Sequence, residues 1–206
     1  MAHSIAARLY LLCYDLDRQR MTGRDRIGLL TSAAALTELY LSGHLIDQHG
    51  KPAPGAAWDA TDPVLGEVLT LVAGAPGRRW KHWVRRQAKP THLGVRTRLA
   101  EERVIGVRHS KLLGVFPHTT ITIRDRRLAK QVRADLNRAL REPLSRVTSA
   151  DAALVALAAT IEVRAVLPAR VRREHKVRIR QFVDDSGPAV AALRSLIKEK
   201  AASAGG

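Results

Sequence analysis

Cysteine is nearly absent. Cys13 is the only one in 206 residues, so no disulfide can form within the chain. It sits among Leu9, Leu12 and Leu16, where a buried inert thiol is expected rather than a nucleophile. Aromatic residues make up only 4%, and Ala, Leu and Val dominate the apolar share. Ala and Leu favour helix, so a mostly helical bundle is expected. No apolar run is long enough to span a bilayer and no signal peptide is recognisable, which points to a cytosolic protein in a reducing compartment. Chemistry-bearing motifs are missing too. The histidines His3, His44, His49, His82, His92, His109, His118 and His175 form no HExxH or other close ligand pair. There is no GxSxG elbow, P-loop or GxGxxG. Asp15 and Asp17 are close, but they lie at a helix end beside Arg18 and Arg20 and read as structural. Nothing argues for an enzyme, and no cofactor or metal is expected.

What is abundant is positive charge. Thirty-five Lys and Arg stand against 19 Asp and Glu, a formal net charge of +16. Such a surplus calls for a polyanionic partner, either nucleic acid or an anionic membrane. It is uneven. Up to Gly50 the arginines are balanced by Asp15, Asp17, Asp25, Glu38 and Asp47; the excess runs from Arg78 to Arg180. An Arg- and Ala-rich chain also fits a GC-rich genome, so no single basic run decides the matter.

Apolar periodicity marks residues 4–20 as a first helix, with Ile5, Leu9, Leu12, Cys13 and Leu16 inward. A loop at 21–23 leads to a second helix. There Leu29, Ala33, Leu36 and Tyr40 repeat at helical spacing and Gly43 is the stop. Glu38 within that run needs solvent or a basic partner. Residues 49–55 read as a Pro/Gly-rich loop pinned by Trp58. Asp62-Pro63 is a helix start, with Val64, Leu65, Val68, Leu69 and Val72 as its apolar face. A basic helix over 78–89 carries Trp80 and Trp83. Two tryptophans on such a helix suit a membrane interface or the core, and the core is favoured. Pro90 ends it, and a fifth helix starts at Val95. Residues 104–116 read as a β-hairpin whose basic tip is 108–111, with a further strand at 119–123 beyond Pro117. A long amphipathic helix spans 125–141, turning Leu128, Val132, Leu136 and Leu140 inward. Thr148 to Asp151 resembles a capping box. The helix over 151–166, apolar nearly all round, is expected to be the central buried one. A basic helix covers 169–183 with Val171, Ile179 and Phe182 on its thin apolar side. A last helix follows 184–188, and residues 201–206 are expected to fray as a flexible tail.

Two binding functions fit these residues. One is a nucleic-acid-binding regulator, in which a helix, Gly43 and a short extended piece mimic a winged helix-turn-helix. The apolar second helix is poorly suited to recognition. The other is a peripheral membrane protein that reads anionic headgroups.

The ordered motifs add to this. The run Leu36-Thr37-Glu38-Leu39-Tyr40-Leu41-Ser42-Gly43-His44-Leu45 is followed by Val95-Arg96-Thr97-Arg98-Leu99. Next come Leu112-Leu113-Gly114-Val115-Phe116-Pro117 and the Ala/Leu-rich helix from Asp151. Together the set resembles the Golgi phosphoprotein 3-like family, and its composition suits a bacterial, actinobacterial member. The resemblance implies a mainly α, single-domain helical bundle over residues 1–200 with a protruding β-hairpin. In the eukaryotic members it implies cytosolic proteins that bind phosphatidylinositol 4-phosphate and the cytosolic tails of glycosyltransferases, without enzymatic activity. It implies oligomerisation through the hairpin, here Lys111, Leu112, Leu113 and Phe116.

The family's headgroup pattern is a tryptophan before the second helix, an arginine within it and two arginines three apart on the later helix. Those positions hold Gly23, Ser32, Leu93 and Arg96 here, so only Arg96 matches. A relocated site would use Arg96 with Arg24, Arg26 and His92, the last lying one turn before Arg96. The alternative is that Arg24, Arg26 and Arg96 are solvated or pair with Asp25 and Glu102. The expected partners are an anionic membrane lipid, a second copy through the hairpin, and a membrane-protein or enzyme client. The expected location is cytoplasmic, at the cytoplasmic face of a membrane.

Overall fold

The structure, a computed structural model, describes residues 3–57, 60–112, 116–161 and 167–203; of residues 111, 112 and 116–118 it describes the backbone alone. Ser4 opens the first helix by accepting from the Ala7 amide with its hydroxyl, 3.3 Å away. In α1 (Ile5–Leu12) every residue but Arg8 is buried. The helix is much shorter than residues 4–20. Residues beyond it form a small antiparallel hairpin of β1 (Tyr14–Asp15) and β2 (Arg20–Met21). The reason is Asp15, whose carboxylate accepts from the Asp17 and Arg18 amides at 3.0 Å. That side-chain turn reverses the chain.

Helix α2 (Ile27–Leu41) ends where Gly43 takes a φ of +75°, as predicted. The next segment is more ordered than the Pro/Gly-rich loop expected of it. Strands β3 (Leu45–Gln48) and β4 (Lys51–Pro54) pair in an antiparallel hairpin. His49 and Gly50 adopt φ of 53° and 78°, the positive pair that a tight two-residue turn requires. Asp62 then caps α3 (Pro63–Gly74), accepting from the Val64 amide at 2.9 Å. Trp58 lies outside the described residues.

Helix α4 (Trp80–Arg86) puts both tryptophans in the core: Trp80 is 3% exposed and Trp83 2%. The Trp80 indole donates to Asp47 Oδ1 at 2.5 Å, tying α4 to β3. Pro90 does not end a helix. It lies in the first turn of α5 (Ala88–Glu101), where its missing N–H costs no intrahelical bond.

The β-hairpin is longer than predicted. Strand β5 (Ile105–Leu112) pairs with β6 (Phe116–Ile123) in continuous register from Ile105↔Ile123 to Leu112↔Phe116. Arg108, His109 and Ser110 therefore lie along β5, not at the tip, and Pro117 lies within β6 opposite Lys111. Ile105 and Ile121 at the base are buried, whereas Arg108, His109 and Ser110 are exposed, so the outer half protrudes. Leu113 is outside the described residues, as are the side chains of Lys111, Leu112 and Phe116.

Helix α6 (Arg126–Arg141) buries Val132, Leu136 and Leu140 as expected. Thr148 caps α7 (Ser149–Thr160), its hydroxyl accepting from the Asp151 amide at 3.1 Å. The Asp151 carboxylate, free of the reciprocal capping bond, pairs instead with Arg8 at 2.5 Å. Val166, expected to close this helix, is outside the described residues. The basic segment is two helices rather than one, α8 (Ala169–Glu174) and α9 (Lys176–Asp185), broken at His175. Helix α10 (Pro188–Ser203) carries through Ser203, and residues 204–206 of the expected tail lie outside the described residues.

The product is a mainly α domain with small two-stranded hairpins. Its hub is not α7 alone. Helix α2 packs against α1, α3, α4, α5, α7, α10 and β3, while α7 packs against α1, α2, α6, α9 and α10. Glu38 does not meet a basic side chain as its hydrogen-bond partner. Its Oε2 accepts from the Ile5 amide at 2.7 Å and satisfies the start of α1.

Candidate functional site

A cleft of about 250 Å³ opens where α1, β2, the N-terminal end of α2, α5 and β6 meet. Its lining is Tyr10, Met21, Arg24, Ile27, His92, Arg96, Thr119 and Ile121. The local causes are separable. Gly23, at a φ of +63°, turns the chain out of β2 so that Arg24 precedes α2. His92 and Arg96 are four residues apart on α5 and so share a face. Ile27 is the first residue of α2, so the positive end of that helix borders the cleft.

Among the described residues neither Arg24 nor Arg96 forms an ion pair, although both face a partly enclosed cleft. Two guanidiniums without carboxylate partners on one cleft attract an anion. Tyr10 is 1% exposed and forms the buried wall. Burial pushes its pKa up to about 12, against the opposing pull of Arg96 and Arg24. The His92 ring lies 5.5 Å from the Tyr10 ring, tilted by 30°. Burial holds the His92 pKa below its ordinary value, and Arg96 adds to that. Its Nδ1 is buried without a hydrogen-bond partner.

The structure thus brings together Arg24, Arg96 and His92 of the predicted set and leaves Arg26 out. Arg26 Nε pairs with Asp25 Oδ2 at 3.3 Å, and Asp25 is also held by Lys200 at 3.1 Å. The alternative pairing of Arg96 with Glu102 is not formed: Glu102 is engaged by Arg98 at 2.9 Å and by His3 at 3.3 Å. At the other family positions, Ser32 is fully buried and Leu93 is 36% exposed. Ser32 directs its hydroxyl to the Trp83 carbonyl at 3.5 Å. Sequence reasoning missed Tyr10 and Thr119. The one available signal was a polar-tipped ring among the apolar residues of α1. Of the residues predicted for oligomerisation, Lys111, Leu112 and Phe116 lie at the far end of the hairpin whose strand β6 borders the cleft, and Leu113 lies outside the described residues.

A second cleft of about 300 Å³ is lined by His3, Asp62, Arg98, Glu102 and Asp125 among others. Its charges are spent on one another: Arg98 pairs with Asp62 at 3.0 Å and with Glu102, and Asp125 caps α6. It offers no free cation. No described helix is long and apolar enough to cross a membrane.

Comparison with curated proteins finds no match. The family model described as Golgi phosphoprotein 3 (GPP34) matches residues 5–200. That span takes in the helical bundle, the hairpin and every residue of the cleft, and the chain belongs to the Golgi phosphoprotein 3 family.

Proposed function

We propose that this protein is a peripheral membrane protein that seats the phosphate of an anionic phospholipid or phosphoinositide headgroup between Arg24 and Arg96. The observation that carries this reading is the pair of guanidiniums without carboxylate partners in one partly enclosed cleft. At the cleft each contributes charge-assisted hydrogen bonds to phosphate oxygens. The exposed basic residues of α4, α8 and α9 add long-range attraction to an anionic surface. The hairpin extends from the edge of the same cleft and is the element offered to a second copy or to a membrane-protein or enzyme client. The reading includes no catalysis and no cofactor, and it places the protein at the cytoplasmic face of a membrane.

The winged-helix alternative requires a helix free to enter a DNA groove. Helix α2 is enclosed by its neighbours, which disfavours it. Co-sedimentation with phosphatidylcholine vesicles, with and without anionic lipid or phosphoinositide, tests the proposal beside a DNA gel shift. Binding should require the anionic component and weaken steeply with salt. Selective DNA binding with no vesicle binding would overturn it.

A further inference from the structure

We propose that α8 and α9 form a second site for an anionic bilayer, on the face of the bundle opposite the Arg24–Arg96 cleft, so that one copy of the chain bridges two membrane surfaces. For the first of those surfaces this rests on the phosphate-site reading given above.

The packing around α7 sets the two faces apart. Helix α7 is enclosed, with Ala153 to Ala158 all buried. Helices α1 and α2 pack on it and on each other; α6 joins on the α1 side and α10 on the α2 side. Helix α9 also packs on α7 and closes the ring between α6 and α10. The Arg178 guanidinium donates to the Glu142 carbonyl at the end of α6, and a turn at Ser186 and Gly187 leads straight into α10. The cleft is carried on the other side, where α5 packs on α1 and α2. From α5 through α2 and α7 to α9 there are three helix packings of about 8–10 Å each. The Debye length at physiological ionic strength is about 8 Å. A bilayer seated on the cleft is therefore out of reach of α9, and the attraction exerted by α8 and α9 falls on a different surface.

That face is built of cations around exposed aliphatic tips. Helices α8 and α9 hold six cations and three carboxylates, and two of the carboxylates, Asp184 and Asp185, come at the far end. Arg170, Arg173 and Lys176 are exposed and have no carboxylate partner among the described residues. Arg180 is four residues on from Lys176 and shares its face. Val177 beside them is 84% exposed. Arg141 and Arg146, on either side of Glu142, extend the positive surface, and Leu144 between them is 46% exposed.

Guanidiniums and ammoniums around aliphatic tips suit a bilayer. The cations meet headgroup phosphates, and the tips enter the boundary beneath them. Nucleic acid fits less well. Val177 would gain nothing against a phosphate backbone. The Phe182 ring, which could stack on a base, is buried beneath Arg178.

The test uses phosphatidylcholine vesicles carrying phosphatidylglycerol. Co-sedimentation reads attachment. Turbidity, with energy transfer between two labelled vesicle populations, reads bridging. Wild type should do both. Lys176→Gln/Arg180→Gln should lose clustering by about 10- to 100-fold, from the attraction each cation exerts at an anionic surface. Its co-sedimentation should fall by less than about threefold, the long-range share alone. Val177→Asp should also weaken clustering. All three positions are exposed, and an unchanged thermal melt shows that the variants are folded. Arg194→Gln/Lys198→Gln removes the same charge from exposed positions of α10 and should cluster like wild type. An α9 variant that still clusters vesicles, as an oligomer joined through two clefts would, overturns the inference, and so does an equal loss in the α10 control. A labelled DNA duplex carried down with unclustered vesicles by wild type but not by the α9 variant would give this face to nucleic acid and overturn it too. An Arg24→Ala/Arg96→Ala protein that clusters as well as wild type overturns the phosphate-site reading instead.

Discussion

The backbone amide of Ile5 donates to the Glu38 carboxylate at 2.7 Å, so a side chain of α2 caps the start of α1. Burial pushes the Glu38 pKa up to about 7; the Ile5 amide opposes the rise and Asp62 adds to it. An unfolded glutamate titrates near 4.5. Between those values the folded chain holds more protons than the unfolded one. The stability linked to this group is therefore complete below pH 4.5 and is lost as pH rises through 7. Glu38→Gln keeps an acceptor without the charge. It should flatten this dependence and raise stability at pH 8 by about 1–3 kcal/mol. Glu38→Ala strands the Ile5 amide and should cost about 1–3 kcal/mol. Urea denaturation at pH 5 and pH 8 checks both; equal pH slopes for wild type and Glu38→Gln would refute the assignment.

Helices α2 and α5 touch at Gly28. A Cβ there would meet the Ala88 carbonyl oxygen at 2.9 Å and the Ala88 Cβ at 3.5 Å. The nearest obstacle is backbone, so the first turn of α5 must move. Gly28→Ala gains up to about 1 kcal/mol in helix propensity. Overpacking should outweigh that, for a net loss of about 1 kcal/mol, and Gly28→Val should lose more. Since His92 and Arg96 ride on the displaced helix, vesicle binding should weaken along with stability. Denaturation and co-sedimentation of the two variants provide the check. A Gly28→Val protein that binds as well as wild type would separate the cleft from this contact.

Legibility in the sequence followed how local the cause was. The end of α2, the Asp62 cap and the Thr148 cap were readable because each is fixed within a few residues. The β3–β4 hairpin was not, since His49 is an unusual occupant of a positive-φ turn position and Pro52 discourages a strand assignment. The break at His175 carries neither glycine nor proline to announce it. Pro90 misled because proline is tolerated in a first turn but reads as a stop. In the cleft, Arg96 came from the family's headgroup pattern, Arg24 from its place beside that pattern's loop position, and His92 from its spacing to Arg96. Arg26 looked equivalent to Arg24; only the fold shows that Asp25 holds it. Tyr10 comes from a distant helix whose local pattern says nothing but core.

Asp47 and Trp80 tie the β3–β4 hairpin to α4 by a 2.5 Å hydrogen bond. The indole is 3% exposed, so losing its acceptor leaves a buried donor unsatisfied. Asp47→Ala should cost about 1–3 kcal/mol. The same burial bears on membrane contact. In a Trp58→Phe background the remaining tryptophans are Trp80 and Trp83, both in the core. Brominated lipids should then leave fluorescence unquenched even when the protein is bound. Strong quenching would mean that α4 opens onto the bilayer.

Arg24 and Arg26 lie two residues apart and differ by one ion pair, which makes them a controlled comparison. Arg24 lines the cleft without a carboxylate partner, whereas Arg26 pairs with Asp25 at 3.3 Å. The Arg26 pair is exposed and contributes little to stability. Arg24→Ala and Arg96→Ala should each weaken binding to anionic vesicles about tenfold or more, because each removes charge-assisted hydrogen bonds at the cleft. Arg26→Ala removes the same formal charge from the same segment but no cleft donor. It should lower binding only by the long-range share, less than about threefold and vanishing at high salt. If all three variants fell equally, and equally with salt, binding would follow net charge alone. A selective loss at Arg24 and Arg96 that persists at high salt is what a built phosphate site requires.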